Sequence, residues 1–181
     1  MLKIDVPITQ EGWDEEKQEF VAPIYQTLIL EHSLISISKW ESTWCKSFLS
    51  KEPKTNEETI DYIKCMTLTK NVDPSVYSKL TRKNIEDVNK YIEAPMTATT
   101  FYERKSGRGG QERITSELIY YWMIALNIPF ECEKWHLNRL LTLIRVCNIK
   151  NQPAKKMSKR EIMSRNAALN ASRRQQLNTK G

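Results

Sequence analysis

The chain has 181 residues, 40% of them hydrophobic and 28% charged, with five tryptophans and seven tyrosines. This composition excludes a disordered chain, and the length allows one domain with a core plus a tail. The longest uninterrupted apolar stretch, Leu118–Leu126, has nine residues and is far too short to span a membrane. No secretory signal pattern opens the sequence. We therefore expect a soluble protein that is not exported.

The charge is distributed unevenly along the chain. The net charge is +6, but residues 151–181 carry eight basic side chains and one acidic one, a balance of +7. Residues 1–150 are therefore close to neutral, at −1. Such an asymmetry indicates an anionic partner or an interaction arm. Three interpretations of this tail stay open: it binds nucleic acid, it binds an acidic protein surface, or it has no partner and is simply solvated.

The cysteines indicate neither a disulfide framework nor a zinc ribbon. Cys45, Cys65, Cys132 and Cys147 are scattered without a C-x-x-C pair, so we expect reduced thiols. Cys132 and His136 are four residues apart, which allows a thiolate–imidazole metal site or a nucleophile pair. No further ligand has the usual spacing, and a core thiol with an ordinary histidine is the favoured interpretation. We predict no metal, no cofactor and no catalytic site.

In chain order, the first elements are predicted to be strands. Leu2, Ile4 and Val6 alternate with polar neighbours, and Ile24–Leu30 has the composition of a strand. The pattern predicts a small antiparallel ribbon over residues 1–31.

Helical spacing begins at Leu34 and continues to Phe48. Ser38 and Glu41 have the spacing of a capping box, and the turn at Lys51–Pro53 is expected to end this helix. The next helix is predicted to begin at the capping box of Thr55 and Glu58. Further starts are expected at Asp73–Pro74 and, in the next helix, at Thr81.

The second half of the chain contains the most hydrophobic predicted helices. They cover Glu112–Asn127 and Glu133–Lys150, and Pro129 separates them. Their short connection predicts antiparallel neighbours that contribute much of the folding energy. The glycine cluster Ser106–Gly110 before them is expected to be a loop. It lacks the Lys-Ser/Thr of a phosphate-binding loop, although its flanking arginines and Lys105 leave contact with a phosphate backbone open.

The last predicted helix follows Pro153, starts at a capping box of Ser158 and Glu161, and runs to about Leu177. The fold class is therefore mainly α: a helical bundle with a small N-terminal β-ribbon and a basic C-terminal helical arm. The predicted segments are the ribbon at 1–31, the helical core at 32–151 and the arm at 152–181.

Several stretches resemble a known family. The chain resembles small tailed-bacteriophage proteins, most of all tail assembly chaperones. The resemblance lies in Leu30–Leu34, Ser38–Glu41, Thr115–Met123, Trp135–Cys147 and the tail from Lys155 to Asn170. This resemblance implies a non-enzymatic helper in the host cytoplasm that binds the tape measure protein and helps to recruit tail-tube subunits. Because a tape measure protein exposes amphipathic helix, a partner with an apolar groove would protect it from aggregation.

The resemblance also gives the candidate partner-binding residues. The apolar groove is expected to be lined by Trp122, Trp135, Leu140 and Ile144. The basic arm is expected to act through Lys155, Lys156, Lys159, Arg160, Arg165, Arg173 and Arg174. Two alternatives stay open: a virion structural protein of the head, connector or tail whose arm contacts neighbouring subunits or DNA, and an independent nucleic-acid-binding protein. The aromatic run Tyr120–Trp122 is compatible with core, with an interface or with stacking on a ligand.

Overall fold

A computed structural model of the chain describes residues 1–9, 12–14, 19–101, 113–152 and 158–178. Within them the strands are β1 Leu2–Pro7, β2 Gly12–Asp14, β3 Glu19–Val21 and β4 Tyr25–Leu30. The α-helices are α1 Leu34–Trp44, α2 Asn56–Met66, α3 Ser75–Ser78, α4 Arg82–Glu93, α5 Ser116–Ala125, α6 Leu137–Asn151 and α7 Lys159–Leu177. A short 3-10 helix covers Phe130–Lys134. The predicted fold class, mainly helical with a small antiparallel sheet at the N-terminus, is confirmed.

The N-terminal sheet pairs β1 with β4 in antiparallel register, from Leu2 opposite Leu30 to Pro7 opposite Tyr25. The alternation of apolar and polar residues that predicted β1 corresponds to an alternation of buried and exposed side chains. Ile4 and Val6 are buried, whereas Lys3 and Asp5 are exposed. A second ladder joins β2 to β3. The buried face of the β1–β4 sheet belongs to the same core as the helices, so the ribbon is not a separate body.

Three of the predicted helix starts are confirmed by their caps. The hydroxyls of Thr55, Thr81 and Ser158 each accept the backbone N–H three residues later, and each closes a reciprocal capping box. Helix α1 starts at Leu34, as the helical spacing predicted, but the predicted capping box of Ser38 and Glu41 and the predicted end near Pro53 are wrong. Its cap is Ser33, which pairs with Ser36, and the helix ends at Cys45 in the left-handed conformation, with φ of 51°. The chain therefore leaves the helix before Pro53 is reached.

The two most hydrophobic helices are shorter than predicted and are arranged differently. Residues 130–134 form the 3-10 helix, so α6 begins only at Leu137. The principal helical neighbour of α5 is α1, not α6 as the short connection had predicted. A buried carboxylate on α1 accounts for this choice, as described below.

The chain separates into two compact units, Met1–Asn148 and Ile149–Gly181. The first contains one continuous core built from both long strands and helices α1 to α6. In the second, every described residue of α7 is exposed to solvent. Within the parts of the chain that the structure describes, no helix combines the length and the apolar character needed to cross a membrane.

Candidate partner-binding site

Helix α5 carries apolar side chains on nearly all sides, yet most of them are not buried. Its buried side is formed by Ser116, Ile119 and Met123. On the opposite side Tyr121 and Ile124 are 63% and 60% exposed, and Phe130 of the following 3-10 helix is 55% exposed. A helix that is hydrophobic all round is normally covered on all sides. The exposed face, here named the α5 patch, consists of Tyr121, Ile124, Ala125 and Phe130.

The start of α5 is fixed by Glu41 of α1, whose side chain is buried. One carboxylate oxygen accepts the Ser116 N–H at 2.7 Å, and the other accepts the Phe48 N–H at 2.8 Å. The first N–H groups of a helix lack partners within the helix and form its positive end, so a buried carboxylate is stabilised there. Glu41 thus ties α5 to α1 and leaves the α5 patch facing outward. Sequence reasoning assigned Glu41 only to a cap on its own helix.

Carboxylates border the α5 patch. Glu117 lies one helical turn before Tyr121 and is exposed, as is Glu131, which follows Phe130 directly. The backbone N–H of Glu117, together with the Thr115 and Ser116 hydroxyls, holds the pKa of Glu117 below its ordinary value, so this group is charged at neutral pH. The described surface between 116 and 135 therefore combines an apolar centre with acidic edges.

A third carboxylate joins the helix to the segment that follows it. Glu133 accepts the Tyr120 hydroxyl at 2.8 Å, and the rings of Tyr120 and Phe130 lie 6.3 Å apart. Burial and then this hydrogen bond raise the pKa of Tyr120, so the phenol keeps its proton and remains a donor. These contacts hold Phe130 beside α5 and make it part of the same patch.

The residues predicted to line a groove are not brought together on one surface. Leu140 and Ile144 are 0% and 4% exposed and belong to the core, so their side chains are not available to a partner in this structure. Trp122 and Trp135 are half-buried against the core. The Trp135 ring is covered by the Arg139 guanidinium at 4.3 Å from its centroid.

The basic arm is only partly described. Lys155 and Lys156 lie outside the described residues, whereas Lys159, Arg160, Arg165, Arg173 and Arg174 are exposed on α7. Spacings of three and four residues place one row of side chains along the same side of this helix. This row, here named the α7 stripe, is formed by Lys159, Ile162, Asn166, Leu169, Arg173 and Leu177. Its apolar members are Ile162 and Leu169, each 44% exposed, and Leu177, which is 71% exposed.

His136 and Cys132 form no reactive pair. The His136 Nε2–H donates to the Tyr91 carbonyl at 3.0 Å, and Nδ1 accepts the Asn138 N–H at 3.3 Å, which caps the start of α6. Burial raises the pKa of the Cys132 thiol and so disfavours the thiolate. Among the described residues no group of three or more histidines, cysteines and carboxylates is placed to hold a metal ion. His136 thus has a structural role as a helix cap.

A second histidine, His32, lies at the centre of a buried polar cluster. Its Nδ1 is 2.6 Å from the Tyr62 hydroxyl, which is 3.3 Å from the Ser36 hydroxyl, and its ring centroid is 5.0 Å from that of His136. Burial, and next the proximity of His136, lower the pKa of His32 to about 3. His32 is only 2% exposed, so this serine–tyrosine–histidine set is closed to a substrate and acts in packing.

The same region joins two helix starts. Ser33, the cap of α1, forms a backbone bridge with His136, and the Leu137 N–H donates to the His32 carbonyl at 2.8 Å. The first turns of α1 and α6 are therefore fixed to each other by main-chain hydrogen bonds as well as by the two imidazoles.

A surface depression of about 560 Å³ lies between the loop after α1 and the approach to α5. Leu49, Pro53 and Ile114 supply its apolar lining, while Glu52 and Arg113 meet across 3.8 Å. The paired charges of Glu52 and Arg113 offset each other. We assign no chemistry to this depression.

The α5 patch and the α7 stripe are thus the two candidate binding surfaces. The residues that define these two surfaces include no catalytic arrangement, and both surfaces expose apolar side chains next to charged ones. Comparisons of the chain with known protein families, with curated proteins and with solved structures give no match.

Proposed function

We propose that this protein is a non-enzymatic tail assembly chaperone of the tailed-phage type, which binds the tape measure protein and helps to recruit tail-tube subunits. The observation that carries the binding role is the α5 patch, an apolar helical face held rigidly by Glu41 and left open to solvent. The class of partner comes from the sequence resemblance.

The chemistry of the α5 patch suits a helical partner. An amphipathic helix laid along α5 would bury Tyr121 and Ile124, each worth about 1.5–3 kcal/mol when fully removed from water. Tyr121 and Phe130 are the aromatic type that dominates interface energetics, and both sit on helices whose geometry is fixed before binding. A tape measure protein that has not yet been enclosed by the tube offers such a helix.

Helix α7 would contribute through its charge. Its five described cations stand against the single acid Glu161, and all are exposed. Such a helix accelerates encounter with an acidic partner more than it adds affinity. In the proposed function Arg173 and Arg174 steer the partner or a tube subunit towards the complex.

The exposed cations of α7 also favour a second candidate, a virion structural protein whose arm contacts neighbouring subunits or DNA. The two candidates differ in an observable way. A chaperone is absent from purified virions, whereas a structural protein is present at a fixed copy number. Binding of DNA by the arm would weaken steeply as salt is raised.

Co-expression with the tape measure protein encoded in the same gene region tests the proposed function. We expect the wild-type chain to co-purify with that protein and to increase its soluble fraction. Ile124→Arg should lower the recovered partner by about tenfold or more, because it places a cation in the centre of the contact. Leu68→Arg is the matched control, since Leu68 is 51% exposed outside the α5 patch.

Two results would count against the proposed function. The first is failure of the wild-type chain to co-purify with the tape measure protein or to raise its solubility. The second is equal recovery of the tape measure protein with Ile124→Arg and with Leu68→Arg, which would show that binding does not use the α5 patch.

A further inference from the structure

The α5 patch and the α7 stripe both expose apolar side chains. Ile162 and Leu169 lie seven residues apart, which is about 10 Å along a helix axis. The patch presents Tyr121 and Ile124 on a helix of ten residues, about 15 Å long. Two helices of these lengths can pack with the apolar residues of one against those of the other. Each surface is exposed in the structure.

The charges on the two surfaces are also complementary. The α5 patch has Glu117 at one end and Glu131 next to Phe130, both exposed carboxylates. The α7 stripe has Lys159 one turn before Ile162 and Arg173 one turn after Leu169. The patch thus carries carboxylates beside Tyr121 and Phe130, and the stripe carries cations beside Ile162 and Leu169. Electrostatic complementarity of this kind selects partners and sets the register of a contact.

We propose that the α7 stripe of a second copy of this chain docks on the α5 patch, so that two chains exchange their C-terminal helices and form a dimer. Reciprocal exchange covers both patches and closes the assembly with two-fold symmetry. Two helix–helix contacts of this size form a small interface, so the dimer exchanges with monomer as the concentration changes. The helix of an assembly partner would compete with α7 for the same patch.

Sedimentation velocity of the full chain over a concentration series tests the exchange. The wild-type chain should pass reversibly from monomer to dimer. Ile124→Arg in the patch and Leu169→Asp in the stripe should each weaken dimerisation by about tenfold or more. The matched controls are Leu68→Arg, outside the patch, and Ala168→Asp, on the side of α7 opposite the stripe, and both should dimerise like the wild type.

A mixing experiment separates exchange between chains from every other mode of association. The Ile124→Arg chain retains an intact α7 stripe, and the Leu169→Asp chain retains an intact α5 patch. Each variant alone should remain monomeric, whereas an equimolar mixture should recover a heterodimer through the one contact that has both intact surfaces. Ile124 and Leu169 are both exposed, so both variants should fold, and circular dichroism of each checks this.

Three outcomes would overturn the exchange: a wild-type chain that stays monomeric at every concentration, dimerisation that survives both substitutions, and a mixture of the two variants that stays monomeric. A monomeric wild type whose patch still captures the tape measure protein would overturn the exchange alone. A dimer that fails to capture that protein would overturn the proposed function alone.

Discussion

The unit Met1–Asn148 and helix α7 are built by different means. In the first, buried polar groups find partners far along the chain, as Glu41 does at Ser116 and Tyr91 does at Glu31. In α7 the hydrogen bonds described are local: a capping box at Ser158 and a left-handed C-cap at Asn178. No described residue of α7 is buried. Tertiary contacts thus stabilise the first unit, whereas propensity and capping stabilise the helix of the second.

The sharpest test of this difference applies one substitution to both regions. Leu140→Ala should lower the free energy of unfolding by about 4 kcal/mol, because Leu140 is fully buried and its loss leaves a cavity. Leu169→Ala should change it by less than about 0.5 kcal/mol, because the side chain is exposed and alanine is the better helix former. Urea unfolding of both variants measures this. Similar losses would contradict the assignment of Leu140 to the core.

The buried carboxylate of Glu41 provides the next test. Glu41→Gln should cost about 3 kcal/mol, since an amide cannot accept both backbone N–H groups and one of them loses its partner. Glu57→Gln is the control: this carboxylate is exposed in the first turn of α2, and its loss should cost about 0.5 kcal/mol. Equal thermal shifts for the two variants would show that Glu41 does not anchor α5.

Acid should weaken the first unit through His32. Because the pKa of His32 is about 3 in the folded protein and about 6.5 when unfolded, the unfolded chain binds the proton first as pH falls. The stabilisation is complete above pH 6.5, and about 2 kcal/mol of it is lost by pH 5. Burial also lowers the pKa of His136, which adds loss in the same direction.

The variant His32→Gln isolates this effect from the titration of the carboxylates. It should be less stable at pH 7, and its stability should fall less than that of the wild type between pH 7 and pH 5. Urea unfolding at both values measures the difference. Parallel losses in the two proteins would exclude His32 as the source of the acid sensitivity.

Removal of α7 should have the smallest effect. Truncation after Asn151 should leave cooperative thermal unfolding intact and change the free energy of unfolding by less than about 0.5 kcal/mol, because no described α7 residue contributes to the core. Thermal unfolding should be measured at concentrations at which the full chain is monomeric, since association adds apparent stability. Loss of the cooperative transition would show that the arm is part of the fold.

The same difference decides what could be predicted from sequence. Helix starts that depend on residues three positions apart were predicted well, as at Thr55, Thr81 and Ser158. The cap of α1 was missed because Ser36, and not a glutamate, completes the capping box of Ser33. The capping-box rule selected Ser38 and Glu41 instead. In the structure the Glu41 carboxylate accepts the Ser116 N–H.

The candidate site was harder to predict for a physical reason. Periodicity identifies a core-facing side only where apolar and polar sides differ, and α5 is apolar all round. The pattern therefore gave no means of separating exposed Tyr121 and Ile124 from buried Ile119 and Met123. The distribution of charge identified the basic arm, because charge is visible without knowledge of the fold. Leu140 and Ile144 were placed in a groove because their burial in the core depends on residues far away in sequence.

The bridge between Ser33 and His136 has a consequence for synthesis on the ribosome. All residues of α1 are available early, yet the main-chain partner of its cap is added only about a hundred positions later. Closing so long a loop carries an entropic penalty that few contacts offset until the rest of the core is present. The N-terminal half of the nascent chain therefore stays unfinished until His136 has emerged from the ribosome and can pair with Ser33.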